Sequence, residues 1–386
     1  YDVHYEVRRN SELRAEGTWH LDTPPQEYAD VAVPLPQLEQ RPETEYFINL
    51  YATTREGEPI ALYGKPDEQR PAVAKGEQMA MEQFRIPQPY TLKAEAEATG
   101  KMTWRSNQDS TVVTGQRLHF ALDAKGVVTS YRVDGREYIH EGFGFQPNFW
   151  RAPTDNTAER LRIWKTASQE FHPTVRVSQQ GTQTVVVINY TLPTGNHYTL
   201  TYTLSDDGHL HVAADYAPAS KADTPELPRV GLRFRLPAAM DGVTYFGRGP
   251  EENYIDRNHG TPIGRYQAKA NDLYYPYVRP QENGHHTDVR WIRLEDHLGN
   301  GLLVKADSVM EFNALRNSIE DFDQGKAINH HADEIRPRHF VEVCLDGFMQ
   351  GIGGYDSWGA RPAPEHLLPA DRAYHFGFSI QPIVRS

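Results

Sequence analysis

Residues 197–204 run His-Tyr-Thr-Leu-Thr-Tyr-Thr-Leu, with Thr on one side and Tyr or Leu on the other. A period of two is that of a pleated strand with one buried face. Residues 184–192 are rich in β-branched side chains, and residues 116–122 pass from polar to apolar before stopping at Asp123; both read as strands. Turn signals divide such runs: Asp123-Ala-Lys-Gly126, Asp134-Gly135, Pro193-Thr-Gly195, Asp206-Asp-Gly208 and Leu298-Gly-Asn-Gly301. Asp134-Gly135, lying between Val133 and Tyr138, predicts a tight hairpin. Helical spacing is confined to residues 157–171, apolar at Leu161, Ile163, Trp164 and Ala167, and to one short turn at 318–323. Asn156 or Thr157 is the expected cap of the longer helix. Strands do not alternate with long helices, which speaks against a parallel sheet or a barrel of eight βα units. The expected fold class is all-β and antiparallel.

The pattern also divides the chain. Residues 1–90 carry about five strands with Pro-rich joints (Pro24-Pro25, Pro34, Pro36, Pro42), and residues 79–86 read as a closing strand. Residues 91–109 are polar and weakly patterned, as a linker would be, and from Ser110 strands follow one another to Ile383. The expectation is a small immunoglobulin-like sandwich, a linker and a large antiparallel domain at 110–386. Such a sandwich needs about seven strands, so its first strands are expected to precede residue 1. The start, Tyr1-Asp2-Val3-His4, lacks the charged and apolar segments of a signal peptide. It reads as an internal cut or a mature end, which leaves cytoplasm and periplasm both open.

Charge narrows the partners. Forty basic against 52 acidic side chains leave a net charge of −12, with no basic stripe for nucleic acid. No run of about 18 apolar residues offers a membrane-spanning helix. The single cysteine, Cys344, excludes an internal disulfide or an all-cysteine metal site.

Four clusters stand out as candidate chemistry. Asn148-Phe-Trp-Arg-Ala-Pro-Thr-Asp-Asn156 precedes the helix, as either a structural loop or a site. Gly247-Arg-Gly-Pro-Glu-Glu-Asn-Tyr-Ile-Asp-Arg257 has Gly-x-Gly but lacks the strand–loop–helix setting of a phosphate cradle. Residues 277–291 hold Glu282, Asp288, His285 and His286, the residue types of acid–base work or of a metal site. Adjacent strand residues point to opposite faces, so neither His285-His286 nor His330-His331 can close on one ion if extended. Gly351-Ile-Gly-Gly-Tyr-Asp-Ser-Trp-Gly359 puts an indole on a glycine-rich loop, either buried beneath it or presented to a ligand such as a sugar. No Gly-x-Ser-x-Gly occurs, and Cys344 has the look of an inert inward strand position.

In this order the clusters resemble the C-terminal part of family-2 β-galactosidases. The resemblance rests on residues 148–156, Gly249-Pro-Glu-Glu-Asn-Tyr254, Tyr277-Val-Arg-Pro-Gln-Glu-Asn-Gly284 and Asp346-Gly-Phe-Met-Gln-Gly-Ile-Gly-Gly-Tyr-Asp-Ser-Trp358. It implies a supersandwich similar to galactose mutarotases for residues 110–386, preceded by the family's second sandwich domain. It implies too that the catalytic glutamates, and the magnesium and sodium sites, lie on a barrel absent from this chain. No catalytic residue, metal ligand or cofactor is therefore expected here. The resemblance makes Trp358 the expected substrate-stacking residue, with Asp356 orienting its loop and Asn283 and His285 as weaker substrate contacts. The partners it implies are a galactoside together with the missing barrel, and a further copy of the chain in a homo-oligomer. Two alternatives stay open: a stand-alone sugar-binding module, and a mutarotase-like isomerase using Glu282 and His285.

Overall fold

The computed structural model describes residues 1–386 except 63–64, 95–99, 220–223, 324–330, 357 and 386, with no side-chain description at 58–62 and 65–72. The chain forms two compact units, one of Tyr1–Glu95 with Pro262–Arg265, the other of Ala96–Thr261 with Tyr266–Ser386.

The first unit contains β1 (Asp2–Arg9), β2 (Glu12–His20), β3 (Tyr46–Thr53), β4 (Glu58–Leu62), β5 (Lys65–Val73) and β6 (Gln78–Ile86). They form a four-stranded antiparallel sheet in the order β2-β1-β3-β6 and a separate β4-β5 pair. Alternation in β1 turns Tyr5 and Val7 inward and leaves His4 and Glu6 on the other face.

The second unit begins earlier than the sequence pattern indicated. Residues 91–109, read as a linker, include β7 (Thr103–Ser106), which pairs with β8 (Ser110–Thr114). Its four side chains are all exposed, so it lacks the apolar alternation that marks a strand in sequence. With β9 (Leu118–Asp123), β10 (Val128–Val133) and β11 (Arg136–Glu137) these strands make a five-stranded sheet. The Asp134-Gly135 turn joins β10 to β11, both residues having positive φ (50° and 80°), as a type I′ turn requires.

The larger sheet contains β12 (Gln146–Asn148), β13 (His172–Gln180), β14 (Gln183–Thr191), β15 (His197–Leu204), β16 (Leu210–Ala217), β17 (Arg229–Pro237), β18 (Gly242–Arg248), β19 (Ile263–Lys269), β20 (His286–Glu295), β21 (Gly301–Leu315), β22 (Phe340–Met349) and β23 (Tyr374–Ile383). Its main path is β12-β17-β22-β21-β23-β16-β15-β14-β13, with each adjacent pair antiparallel and β18, β19 and β20 off that path. Tyr198, Leu200, Tyr202 and Leu204 of β15 all point into the core. The two sheets meet there through aromatic rings, Phe120 of β9 lying 5.4 Å from Tyr202 of β15; next to β12, Phe145 lies 4.6 Å from Phe234 of β17. Some of the buried tyrosines donate their hydroxyls to backbone carbonyls, Tyr190 to Gly126 at 2.7 Å and Tyr198 to Gly231 at 3.0 Å, whereas the buried Tyr138 and Tyr202 hydroxyls find no partner among the described residues. Each made bond offsets the cost of burying a polar group.

The helix expected over 157–171 shortens to a 3-10 turn at Glu159–Arg162 and α1 (Ile163–Ala167). Its N-cap is Ala158, without a side-chain cap bond, so neither Asn156 nor Thr157 caps it. The turn at 318–323 is α2 (Ile319–Phe322), closed by a capping box between Ser318 and Asp321. Among the described residues no helix is long and apolar enough to cross a membrane.

Candidate functional site

The four sequence clusters meet in the second unit. The first grips the fourth. Arg151, buried, donates from Nη1 to the Gln350 carbonyl (2.6 Å) and from Nη2 to that of Gly351 (2.8 Å). Asp256 of the second cluster accepts the Gly353 N–H at 2.8 Å. The second and third are joined by Glu252, whose carboxylate accepts the Gly284 N–H at 2.6 Å and bonds Arg257 and Tyr277. Asn253, fully buried, accepts from the Thr287 N–H and hydroxyl while its own N–H donates to the His285 carbonyl. An exposed Arg279–Asp155 pair at 3.2 Å links the third cluster to the first.

Behind these loops lies a buried polar network. Arg229 on β17 and Asp346 on β22 have no exposed surface and pair through two hydrogen bonds, Nε to Oδ1 at 2.9 Å and Nη2 to Oδ2. Nη2 also donates to Asn313 Oδ1 at 3.0 Å. That bond identifies the Asn313 oxygen, so the His285 Nδ1 lying 2.8 Å from it must carry the proton. His285 Nε2 then offers a lone pair to Glu311 Oε2 at 3.0 Å. Burial, then the nearby Asp288 carboxylate, pushes the Glu311 carboxyl up to about 8. Burial, then Arg229, pulls His285 down to about 4. Geometry and electrostatics agree on a neutral pair, with Glu311 donating its proton to the imidazole. Burial works against charge on Arg229 too, but Asp346 outweighs it and raises the guanidinium well above its ordinary value. Burial pushes Asp346 up against the pull of Arg229. Since a guanidinium does not release its proton, the charged pair is the state adopted here.

Two of the expected substrate contacts lie inside this network. Asn283 is 2% exposed and His285 0%, and both spend their side chains on internal bonds, Asn283 on Tyr275 N–H and the Gln281 carbonyl. Neither has surface to offer a sugar. Glu282, also buried, accepts from Asn313 at 3.0 Å. The cavity bordered by Arg229, Glu282, Asn283, Asn313 and Cys344 measures about 20 Å³, room for one water, whereas ligand pockets run to roughly 300 Å³ or more. This cavity is too small to hold a sugar for an isomerase using Glu282 and His285. His286 turns away from His285, stacking on Phe312 at 5.0 Å with its ring nitrogens near the Gly284 and Pro250 carbonyls. His330 lies outside the described residues, while His331 is the N-cap of a 3-10 turn. Among the described residues the one trio of metal-ligating groups with atoms within 4.8 Å is His4, Glu6 and Glu16, in the first unit, not in the four clusters.

The loop after β22 is different. Trp358 is 94% exposed, with its indole open to solvent. Asp356 Oδ1 accepts the Trp358 N–H at 2.8 Å and the Ala360 N–H at 3.1 Å, so the carboxylate organises the turn that carries the ring. Gly359 has φ +96°, a conformation L side chains rarely adopt. Asn156 holds the loop from outside: Nδ2 donates to the Asp356 carbonyl at 2.7 Å and Oδ1 accepts the Gly359 N–H at 3.0 Å. Arg151 and Asp256 were not singled out in the sequence, and Asn156 only as a helix cap. Their signal was the spacing of the clusters, which carries no information on which cluster touches which.

A Beta-galactosidase of Priestia megaterium is 31% identical over 395 residues, taking in 99% of this chain and 36% of that protein. The Beta-galactosidase of Streptococcus thermophilus is 30% identical over 281 residues, 70% of this chain and 27% of that protein. The chain thus spans about a quarter to a third of the length of these relatives. Among solved structures, a galactose 1-epimerase from Lactobacillus acidophilus NCFM has a TM-score of 0.40 at 10% identity, covering 74% of this chain and 99% of that one; a likeness of that size says nothing about chemistry. Residues 114–380 match the family described as Beta galactosidase small chain. A match running from the end of β8 into β23 takes in nearly all of the second unit, and the chain belongs to the beta-galactosidase small chain family.

Proposed function

We propose that this chain is the C-terminal part of a family-2 β-galactosidase, an enzyme hydrolysing terminal non-reducing β-D-galactose residues, and that its role is to shape the sugar pocket rather than to cleave the bond. Retaining glycoside hydrolysis needs two carboxyl groups about 5–5.5 Å apart across the scissile bond. In this reading they, and the magnesium and sodium of the whole enzyme, belong to a barrel that this chain lacks, and no residue here is assigned to either. Trp358 supplies an indole face on which a galactose ring stacks, and Asp356 orients it. The observation carrying the proposal is an indole 94% exposed yet held by hydrogen bonds to the backbone on both sides of it.

An indole buries roughly 200 Å² when fully covered. Covering one face, about half of that, at about 25 cal/mol per Å² is worth about 2.5 kcal/mol, or roughly 60-fold in affinity. Two measurements test the proposal. The purified chain should leave a chromogenic β-galactoside unhydrolysed, and turnover by this chain alone would defeat the assignment. Galactose should quench or shift tryptophan emission in the native chain and not in Trp358→Ala; identical titrations of the two proteins would remove Trp358 from the pocket.

A further inference from the structure

Asn156 ends the first cluster, directly before the 3-10 turn and α1, where a cap was expected. Its side chain does no such work, because the turn's N-cap is Ala158 and no side chain caps it. Both ends of the amide are spent on the loop that bears Trp358, 200 and 203 residues further along the chain. The donor end takes the carbonyl two residues before the indole at 2.7 Å, and the acceptor end takes the N–H one residue after it at 3.0 Å. The two bonds therefore bracket Trp358. An indole exposed over 94% of its surface has little packing to fix it, so hydrogen bonds to its backbone are what define its place. The neighbouring bonds fit this division of labour. Asp356 shapes the turn from within, whereas Arg151 and Asp256 hold its earlier part at Gln350, Gly351 and Gly353.

We propose that Asn156 is a positioning residue for sugar binding, a two-point clamp that sets the Trp358 indole in its receiving orientation before galactose arrives. The proposal rests on the reading of Trp358 as the sugar-facing group. The physical effect is preorganisation. Fixing loop residues costs conformational entropy, and a clamp made in the free protein removes that cost from the binding step. Thr157 does not share the role, since its hydroxyl accepts the Thr154 N–H at 2.9 Å within its own turn.

The test uses the whole chain labelled with 5-fluorotryptophan, whose six indoles give separate fluorine resonances; the one lost in Trp358→Phe belongs to Trp358. In Asn156→Ala that resonance should move by more than its linewidth and narrow, with the other five unmoved, and galactose affinity should fall about tenfold. Asn156→Asp keeps the acceptor for Gly359 N–H and loses the donor to Asp356, so it should lie between the two. An unmoved Trp358 resonance in a folded Asn156→Ala overturns the clamp. If all six resonances collapse in Asn156→Ala, Asn156→Asp decides: a shift confined to Trp358 supports the clamp and none overturns it. Galactose that leaves the native Trp358 resonance in place defeats the sugar reading, a result distinct from the sugar-free comparison of the two Asn156 variants.

Discussion

Replacing Arg229 with Met isolates the energetic centre of the second unit. Methionine keeps most of the apolar stem but removes three hydrogen bonds, two to Asp346 and one to Asn313 Oδ1. Asn313 Oδ1 keeps its bond from His285, but Asp346, with no exposed surface, keeps a charge without its counter-ion. Breaking one side of a buried pair costs about 3–5 kcal/mol, a large share of the roughly 5–15 kcal/mol that holds a domain folded. At about 2 °C per kcal/mol for a large domain, the melting temperature should fall by roughly 6–10 °C. Urea unfolding followed by tryptophan emission reads this directly, because Trp150 and Trp164 are buried in the same unit. A double variant separates lost charge pairing from lost packing. Arg229→Met with Asp346→Leu removes both charges, and such apolar replacements are commonly neutral or stabilising, so the double variant should regain most of the loss. A single variant losing under about 1 kcal/mol, or a double variant no better than the single, would refute the account.

Stability should also depend on pH in a defined way. His285 and His286, both pulled down to about 4 from 6.5 chiefly by burial, bind protons more readily when unfolded, so stability falls as pH drops below about 6.5. Glu311, raised from 4.5 to about 8, holds its proton in the folded chain, so stability falls as pH rises through 8. Between 4.5 and 6.5 two histidines outweigh one carboxyl, which puts the optimum of this cluster near 6.5; melting curves from pH 4 to 9 check it, and Glu311→Gln should flatten the alkaline side. Cys344 is 3% exposed and burial pushes its thiol up; it should resist a thiol reagent at pH 8 until the chain unfolds, and full labelling within minutes under native conditions would count against that. Gly231→Ala should cost about 3 kcal/mol by urea unfolding, because its Cβ would lie 2.0 Å from Asp346 Oδ1 and 2.5 Å from the Leu345 carbonyl; a midpoint like that of the native chain would disprove the tight approach.

Much of the architecture is legible in the residues alone, for a local reason. A period of two tells which side of a strand faces inward, and β15 obeys it residue by residue. Asp134-Gly135 turns because those residue types tolerate positive φ. The exposed strand β7 escaped because nothing in four solvent-facing side chains distinguishes strand from linker. Adjacency, by contrast, depends on which strands come to lie side by side. Alternation says that Arg229 sits on a strand, not that β22 lies beside it with Asp346 in reach. Asn283 and His285 look alike in sequence whether they face a ligand or an inner network, because burial is a property of the neighbours. Asn156 carries the same helix-cap signature whether or not it caps, and here a loop 200 residues away claims its amide instead. Local chemistry is written in the order of the residues, whereas contacts across such separations follow from how the sheets stack.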